Sequence, residues 1–351
     1  MARIMSIATC NPPHLIDNDQ AERILIRHLG RLGLKPGPFQ RILKGTQIEA
    51  RYCVLGGELI DAPMPLKQRN DLYIQQCLEL GERVARKAID DAGLTPQDID
   101  SIISVSCTGY MIPAMDAYLL NRMGLSTNIR RTPITELGCI AGAVGLARAW
   151  EELQVYPDSN ILLLSVELPS LTFQPNDSRT TQIVSSMLFT DGAAAAVLSG
   201  RSNRSSPRLL GRRMYTMNST LDEMGYNLDN DGLHIVLSPA VPELIQRTLG
   251  PQIDSLLAPH GLVRADLRWF ALHPAGPKVL ALIEQELGIG RVNTAASWKV
   301  LRNYGNMSSA TVLFVLAEML DHPPAQPGDP GIIVAFGPGL SGEIVLARWE
   351  A

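Results

Sequence analysis

Leu137-Gly-Cys139-Ile-Ala-Gly-Ala-Val-Gly-Leu-Ala-Arg-Ala-Trp-Glu-Glu-Leu153 has a counterpart later in the chain. It is Tyr304-Gly-Asn306-Met-Ser-Ser-Ala-Thr-Val-Leu-Phe-Val-Leu-Ala-Glu-Met-Leu320. Each stretch has a Gly, then one small reactive or polar residue, then an apolar helical run that closes on Glu-x-Leu. Cys139 and Asn306 lie 167 residues apart. Gly93-Leu-Thr-Pro-Gln-Asp98-Ile and Gly261-Leu-Val-Arg-Ala-Asp266-Leu repeat at an offset of 168. Two matches at nearly one offset predict a duplicated α/β unit, divided into residues 1–200 and 201–351. Duplication brings two helix N-termini together at a pseudo-twofold axis, so Cys139 and Asn306 are expected to share one site.

The flanking segments suit an α/β fold, in which strands alternate with helices. Buried strands are expected at Asp98–Ser106, Asn160–Val166, Gly192–Leu198, Leu267–His273 and Gly331–Phe336, and an amphipathic helix over Asp71–Ala92. The runs after Cys139 and Asn306 are apolar on nearly every side, as in a helix buried at the centre of a large protein. The expected order of layers is outer helices, sheet, two central helices, sheet, outer helices. Gly200–Pro207 reads as a polar linker between the halves, and Pro323–Pro330 as a surface loop.

Composition narrows the function. The 351 residues are 46% apolar and 19% charged, enough for a large core. A net charge of −4 with no long basic run argues against nucleic-acid binding. No stretch approaches the length of a membrane span, and the N-terminal apolar run is too short for a signal peptide. The five cysteines (10, 53, 77, 107 and 139) are odd in number and widely spaced. They read as free thiols in a reducing cytoplasm, with no zinc-like spacing.

The chemistry centres on three residues. A Cys at a helix N-terminus faces the positive end of the helix dipole, which is expected to favour thiolate, although a buried small residue in a tight turn is the plainer alternative. His273 ends a buried strand and is pinned by Pro274-Ala-Gly-Pro277. Asn306 suits a helix cap, but its symmetry with Cys139 favours a role in the site. Cys, His and a neutral amide together suit acyl transfer: a thiolate nucleophile, with N–H groups holding an oxyanion.

At Leu137-Gly-Cys139, Leu272-His273-Pro-Ala-Gly-Pro277, Tyr304-Gly-Asn306-Met-Ser308-Ser-Ala and Phe336-Gly337-Pro338-Gly339-Leu, the chain resembles the type III polyketide synthases, the chalcone synthase superfamily. The likeness runs from Asn11-Pro-Pro-His14 to the last strand. It implies a five-layered thiolase-like αβαβα fold, a homodimer, acyl-CoA and malonyl-CoA as substrates, no cofactor, and decarboxylative Claisen condensation without a carrier protein.

By that resemblance Cys139 carries the starter and the growing chain. His273 holds the thiolate and donates to the thioester oxygen. Asn306, with His273, binds the malonyl thioester and its enolate. Phe189 matches a gate between the CoA tunnel and the cavity, and Ser308 a cavity contact. Phe336 to Gly339 match the loop that shapes cyclisation. Arg41 matches a cation for the CoA phosphates, with Lys44 close to another such position.

The cavity departs from the plant pattern. Cys107-Thr-Gly replaces Thr-Ser-Gly. Thr172 is kept but Pro169 replaces a Thr, and Ile235 stands where a Phe is expected, leaving room for a longer starter. The chain also begins at what the resemblance makes the core, without the N-terminal helix of the plant enzymes. Val166–Gln174 resembles bacterial members that take fatty acyl starters and make alkylresorcinols or alkylpyrones. The alternatives are a synthase of tetrahydroxynaphthalene type using malonyl-CoA alone, and an initiating ketoacyl synthase. A Cys-His-Asn thiol protease lacks its Cys-Gly-Ser-Cys-Trp signature.

Overall fold

The computed structural model describes residues 2–202 and 205–350. The expected linker therefore includes two residues, Asn203 and Arg204, outside the described residues. Nine strands form one sheet among the described residues. They are β1 (Ala2–Cys10), β4 (Ser101–Val105), β5 (Arg130–Ile134), β6 (Asn160–Glu167), β7 (Gly192–Ser199), β8 (Ser206–Thr216), β11 (Trp269–Leu272), β12 (Pro330–Gly337) and β13 (Ser341–Glu350). Two small ribbons complete the set: β2 (His14–Asp17) with β3 (Ala50–Cys53), and β9 (Met224–Asp229) with β10 (Gly232–Leu237). The helices are α1 (Asn18–Arg31), α2 (Pro36–Gly45), α3 (Leu66–Asp91), α4 (Met115–Met123), α5 (Ala141–Val155), α6 (Thr180–Leu188), α7 (Val241–Leu257), α8 (Pro277–Leu287), α9 (Ala295–Tyr304) and α10 (Thr311–Asp321).

The strand order is β11-β12-β13-β8-β1-β7-β6-β4-β5. The sequence leads one to expect two sheets. The structure joins them at the edge where Ala2 and Arg3 of β1 pair with Leu209 and Arg208 of β8. Strands β4, β6, β7 and β12 are buried on both faces, because both faces are covered. In β6, Ile161 and Leu163 enter the central core while Leu162, Leu164 and Val166 enter an outer one. In β13, Val345 and Ala347 face the same central core while Ile344 and Leu346 face the other outer one.

The central core holds α5 and α10. The first packs on β4 and β6 from one half and on β12 and β13 from the other; the second packs on β1 and β7 and on β11 and β12. Helix α3 covers β1, β6 and β7 from outside, and α7 covers β8 and β13. The result is the expected five-layered αβαβα arrangement. Helix α3 begins five residues earlier than expected, at Leu66. No helix among the described residues is long and apolar enough to cross a membrane.

The two central helices meet at their N-terminal ends. A Cβ on Gly142 would lie 2.1 Å from the Ser309 carbonyl oxygen, so only a glycine allows this approach. Gly142→Ala is expected to lower stability by about 2 kcal/mol or more, because the obstacle is backbone. The control is Gly30→Ala, at an open position in α1, where an added methyl is expected to be neutral or stabilising. Urea unfolding of both variants checks this. Equal midpoints would contradict the packing described.

Candidate active site

Cys139 sits in a 3-10 turn, Gly138–Ile140, that leads directly into α5. Gly138 has φ +58°, and a Cβ there would strike the Pro338 ring at 2.7 Å. That contact locks the turn against the loop after β12. On the other helix the matching 3-10 turn is Ser308–Ala310, so Asn306 lies two residues before it. The two helices align from their C-terminal ends, where Tyr156 and His322 have similar backbone angles. The second helix is shorter at its start, and this leaves Asn306 in extended chain, bridged to Phe189.

The two turns face each other across a cavity of about 60 Å³. Cys107, Cys139, Asn306 and Ser308 line its polar side; Phe189, Ile235, Phe336 and Pro338 line its apolar side. The Cys139 Sγ is 3.5 Å from the Ser308 Oγ, which is 3.8 Å from the Cys107 Sγ. Ser308 has φ +50°, unusual for a residue with a side chain. Its N–H donates to Asn306 Oδ1 at 2.9 Å, which holds that conformation. Asn306 is therefore a cap through its oxygen, while its Nδ2 donates to the Ala275 carbonyl at 3.4 Å. The expected cap is thus present, and the same side chain lines the cavity.

His273 follows β11, and its N–H donates to the Val334 carbonyl at 2.8 Å. The side chain is 1% exposed, and neither ring nitrogen has a hydrogen-bond partner among the described residues. Burial lowers its pKa to about 3. The Cys139 thiol is pushed up to about 12 by burial and by the nearby Glu167, against the lowering effect of hydrogen bonds from Ser308 and Asn306. Loss of hydration thus opposes the thiolate that the helix dipole favours, and burial favours the neutral forms of Cys139 and His273.

Glu167 was not foreseen from the sequence, though it stands in the quoted Val166–Gln174 stretch. It is fully buried at the end of β6, accepting from the Cys107 N–H at 3.1 Å, from Thr108 at 3.0 Å and from Ser309. Burial raises its pKa. Tyr226 was also missed. It lines the cavity with Ile235 and bonds to Thr172, and burial pushes its phenol up. A tyrosine in an exposed-looking hairpin segment, Gly225-Tyr-Asn-Leu, gave no periodic signal.

A second cavity of about 100 Å³ shares Phe189, Tyr226 and Ile235 with the first and extends beneath α1, α2 and α6. Thr172 and Pro169 border this second space, not the first. Gly337 packs against the Leu137 carbonyl, and Gly339 forms the turn after it, its carbonyl accepting from Thr220. Arg41 and Lys44 project from the exposed face of α2 and line neither cavity. No group of three or more His, Cys, Asp or Glu residues suited to a metal occurs among the described residues.

The family model for the N-terminal domain of chalcone and stilbene synthases matches residues 1–202, and the model for the C-terminal domain matches residues 215–349. The chain belongs to the chalcone and stilbene synthase family. A 1,3,6,8-tetrahydroxynaphthalene synthase from Streptomyces peucetius subsp. caesius is 34% identical over 99% of this chain and 93% of the relative. A putative chalcone synthase of Bacillus subtilis is 31% identical, covering 100% of this chain and 99% of the relative. The crystal structure of 1,3,6,8-tetrahydroxynaphthalene synthase from Streptomyces coelicolor A3(2), a bacterial type III polyketide synthase, superposes with a TM-score of 0.94 at 32% identity, covering 99% of both chains. This member of the family is accordingly a type III polyketide synthase, an acyltransferase that works on CoA thioesters and condenses malonyl-CoA.

The depressed His273 pKa has a measurable consequence. The unfolded chain protonates imidazole near 6.5, the folded chain near 3. Stability from this group is full above pH 6.5 and falls as the pH drops toward 3, by at most about 1.4 kcal/mol per pH unit. Chemical unfolding at a series of pH values is expected to show a shallower acid slope for His273→Gln than for wild type. Parallel slopes would mean that His273 is not buried as the neutral form.

Proposed function

We propose that the enzyme loads a fatty acyl starter on Cys139, extends it with malonyl units and cyclises the product to an alkylresorcinol or alkylpyrone. Cys139 attacks the starter thioester, its proton passes to His273, and CoA leaves with that proton. Malonyl-CoA then loses CO2, and the electron pair forms an enolate whose oxygen accepts from His273 and Asn306 Nδ2. The enolate carbon attacks the acyl thioester and Cys139 departs as thiolate. Ser308, Cys107 and the Phe336–Gly339 loop contact the chain beside Cys139; Phe189 gates entry; Thr172 and Ile235 line the path of the tail. Arg41 and Lys44, solvent-facing cations on α2, hold the CoA phosphates.

The observation that carries the fatty starter is the second cavity. Its wall is built largely from Ile16, Ile24, Leu25, Leu43 and Phe173, and it adjoins the Cys139 cavity at Ile235. A second reading, malonyl-CoA as the sole substrate, is favoured by Tyr226, a bulky side chain that lines both spaces. The three tetrahydroxynaphthalene synthases among the relatives point the same way.

Two further features support inferences about state and location. Exposed Tyr110, Ile112 and Tyr118 surround one loop, with Ile112 97% exposed, and a second copy of the chain in a homodimer would cover them. Five free cysteines suit a reducing cytoplasm. The halves divide near residue 200, ahead of β8.

Labelled malonyl-CoA, supplied with and without a ladder of acyl-CoA starters, separates the readings by product mass. Products that need a long acyl-CoA support the fatty starter, and Ile235→Phe is then expected to shorten the longest chain accepted. A pentaketide from malonyl-CoA alone overturns it.

The roles are tested separately. Cys139→Ala is expected to lose chain extension by roughly a thousandfold or more, the scale of removing a nucleophile, while still releasing labelled CO2 from malonyl-CoA. Asn306→Ala is expected to lose decarboxylation more than starter loading. Equal loss of both steps would contradict the enolate role.

A further inference from the structure

The second cavity is not uniformly apolar. Four buried side-chain atoms on its wall have no hydrogen-bond partner among the described residues: both ring nitrogens of His28, Oε1 of Gln182 and Oγ of Ser185. These side chains are 2%, 3% and 4% exposed, so bulk water does not satisfy them. None of the three borders the Cys139 cavity; they lie on the part of the wall beyond Phe189, Tyr226 and Ile235. Gln182 and Ser185 are three residues apart on α6 and so share a face of that helix. His28 comes from α1, its ring held edge-on against Phe173 at 5.0 Å.

Leaving such atoms unpaired in an apolar enclosure is costly, and native proteins seldom do it without a partner. The partner's chemistry can be read from theirs. Burial lowers the His28 pKa, so its ring is neutral, with one donor and one acceptor nitrogen. Gln182 Oε1 only accepts, and Ser185 Oγ can do either. A guest group must therefore both donate and accept. A carboxylate cannot donate, and it would meet Asp61 on the same wall, 1% exposed and held by Arg27 and Arg31. Arg51, the cation on the wall, already donates to Met187, Asn18, Ile48 and Thr46. A hydroxyl does both: its O–H can donate to Gln182 Oε1 or to the acceptor nitrogen of His28, while its oxygen accepts from the His28 N–H or from Ser185.

We propose that His28, Gln182 and Ser185 form a subsite for a hydroxyl group near the far end of the acyl starter, so that the enzyme selects hydroxylated acyl-CoA thioesters over plain alkyl ones of equal length. The subsite rests on the acyl-starter reading: the tail enters past Ile235 and its hydroxyl replaces the missing partners.

The test is a matched series of acyl-CoA and terminally hydroxylated acyl-CoA starters, with labelled malonyl-CoA reporting kcat/KM. At the length that reaches the subsite, the hydroxylated member is expected to be preferred by about tenfold or more. That ratio is expected to fall toward one in His28→Leu and in Ser185→Ala; the second is small enough to keep the fold if the first does not. Titration of both ligand series into Cys139→Ala reads the same preference from binding, without chemistry. Equal turnover and equal binding of each pair would overturn the subsite and leave the starter reading standing. Preference for a terminal carboxylate would overturn it too. If no acyl-CoA is extended and malonyl-CoA alone gives product, the starter reading falls and the subsite with it.

Discussion

The methyl group missing from Gly142 lets two helix N-termini touch. Its Cα face rests on the Ser309 carbonyl, closer than any side chain would permit. From that contact follow the placements that matter for chemistry. Cys139 lies three residues before Gly142, and Ser308 and Asn306 lie just before Ser309, so the crossing point of the helices is also the floor of the cavity. The sheet halves are spaced to enclose the helix pair, and β7, with Ala193 through Ala196 in a row, admits α3 on one side and α10 on the other. Helix packing at small residues is thus the constraint that sets the site.

Enclosure has an electrostatic consequence. The burial that excludes water favours the thiol form of Cys139 and the neutral imidazole of His273. A buried carboxyl group lies one layer back, at Glu167, where Cys107, Thr108 and Ser309 all donate to it. That network ties the loop after β4, the end of β6 and the turn before α10 into one unit.

Much of this could be read in the chain beforehand. The duplicated pattern placed Cys139 and Asn306 in one site, and the run Ile161 to Val166 announced a strand covered on both faces. The second central helix is shorter at its start, a difference the matching C-terminal Glu-x-Leu concealed. The dipole at the start of α5 is visible in sequence, whereas the burial that opposes a thiolate at Cys139 is a property of everything packed around it. Tyr226 was missed for a related reason. It sits in a short ribbon with polar neighbours, Asn227 and Asp229, and only the tertiary fold turns its ring inward. Cations on α2 were legible as residues but not as a site, since without ligand they face solvent.

The central claim is that Cys139, and no other thiol, carries the chain. Cys107 makes this a real choice, because its sulfur lines the same cavity and shares Ser308. The decisive measurement is peptide mapping by mass spectrometry after brief exposure of the wild-type enzyme to an acyl-CoA, with malonyl-CoA withheld. One acyl adduct on the peptide that contains Cys139 is the predicted result. An adduct on the Cys107 peptide with Cys139 unmodified would contradict the account.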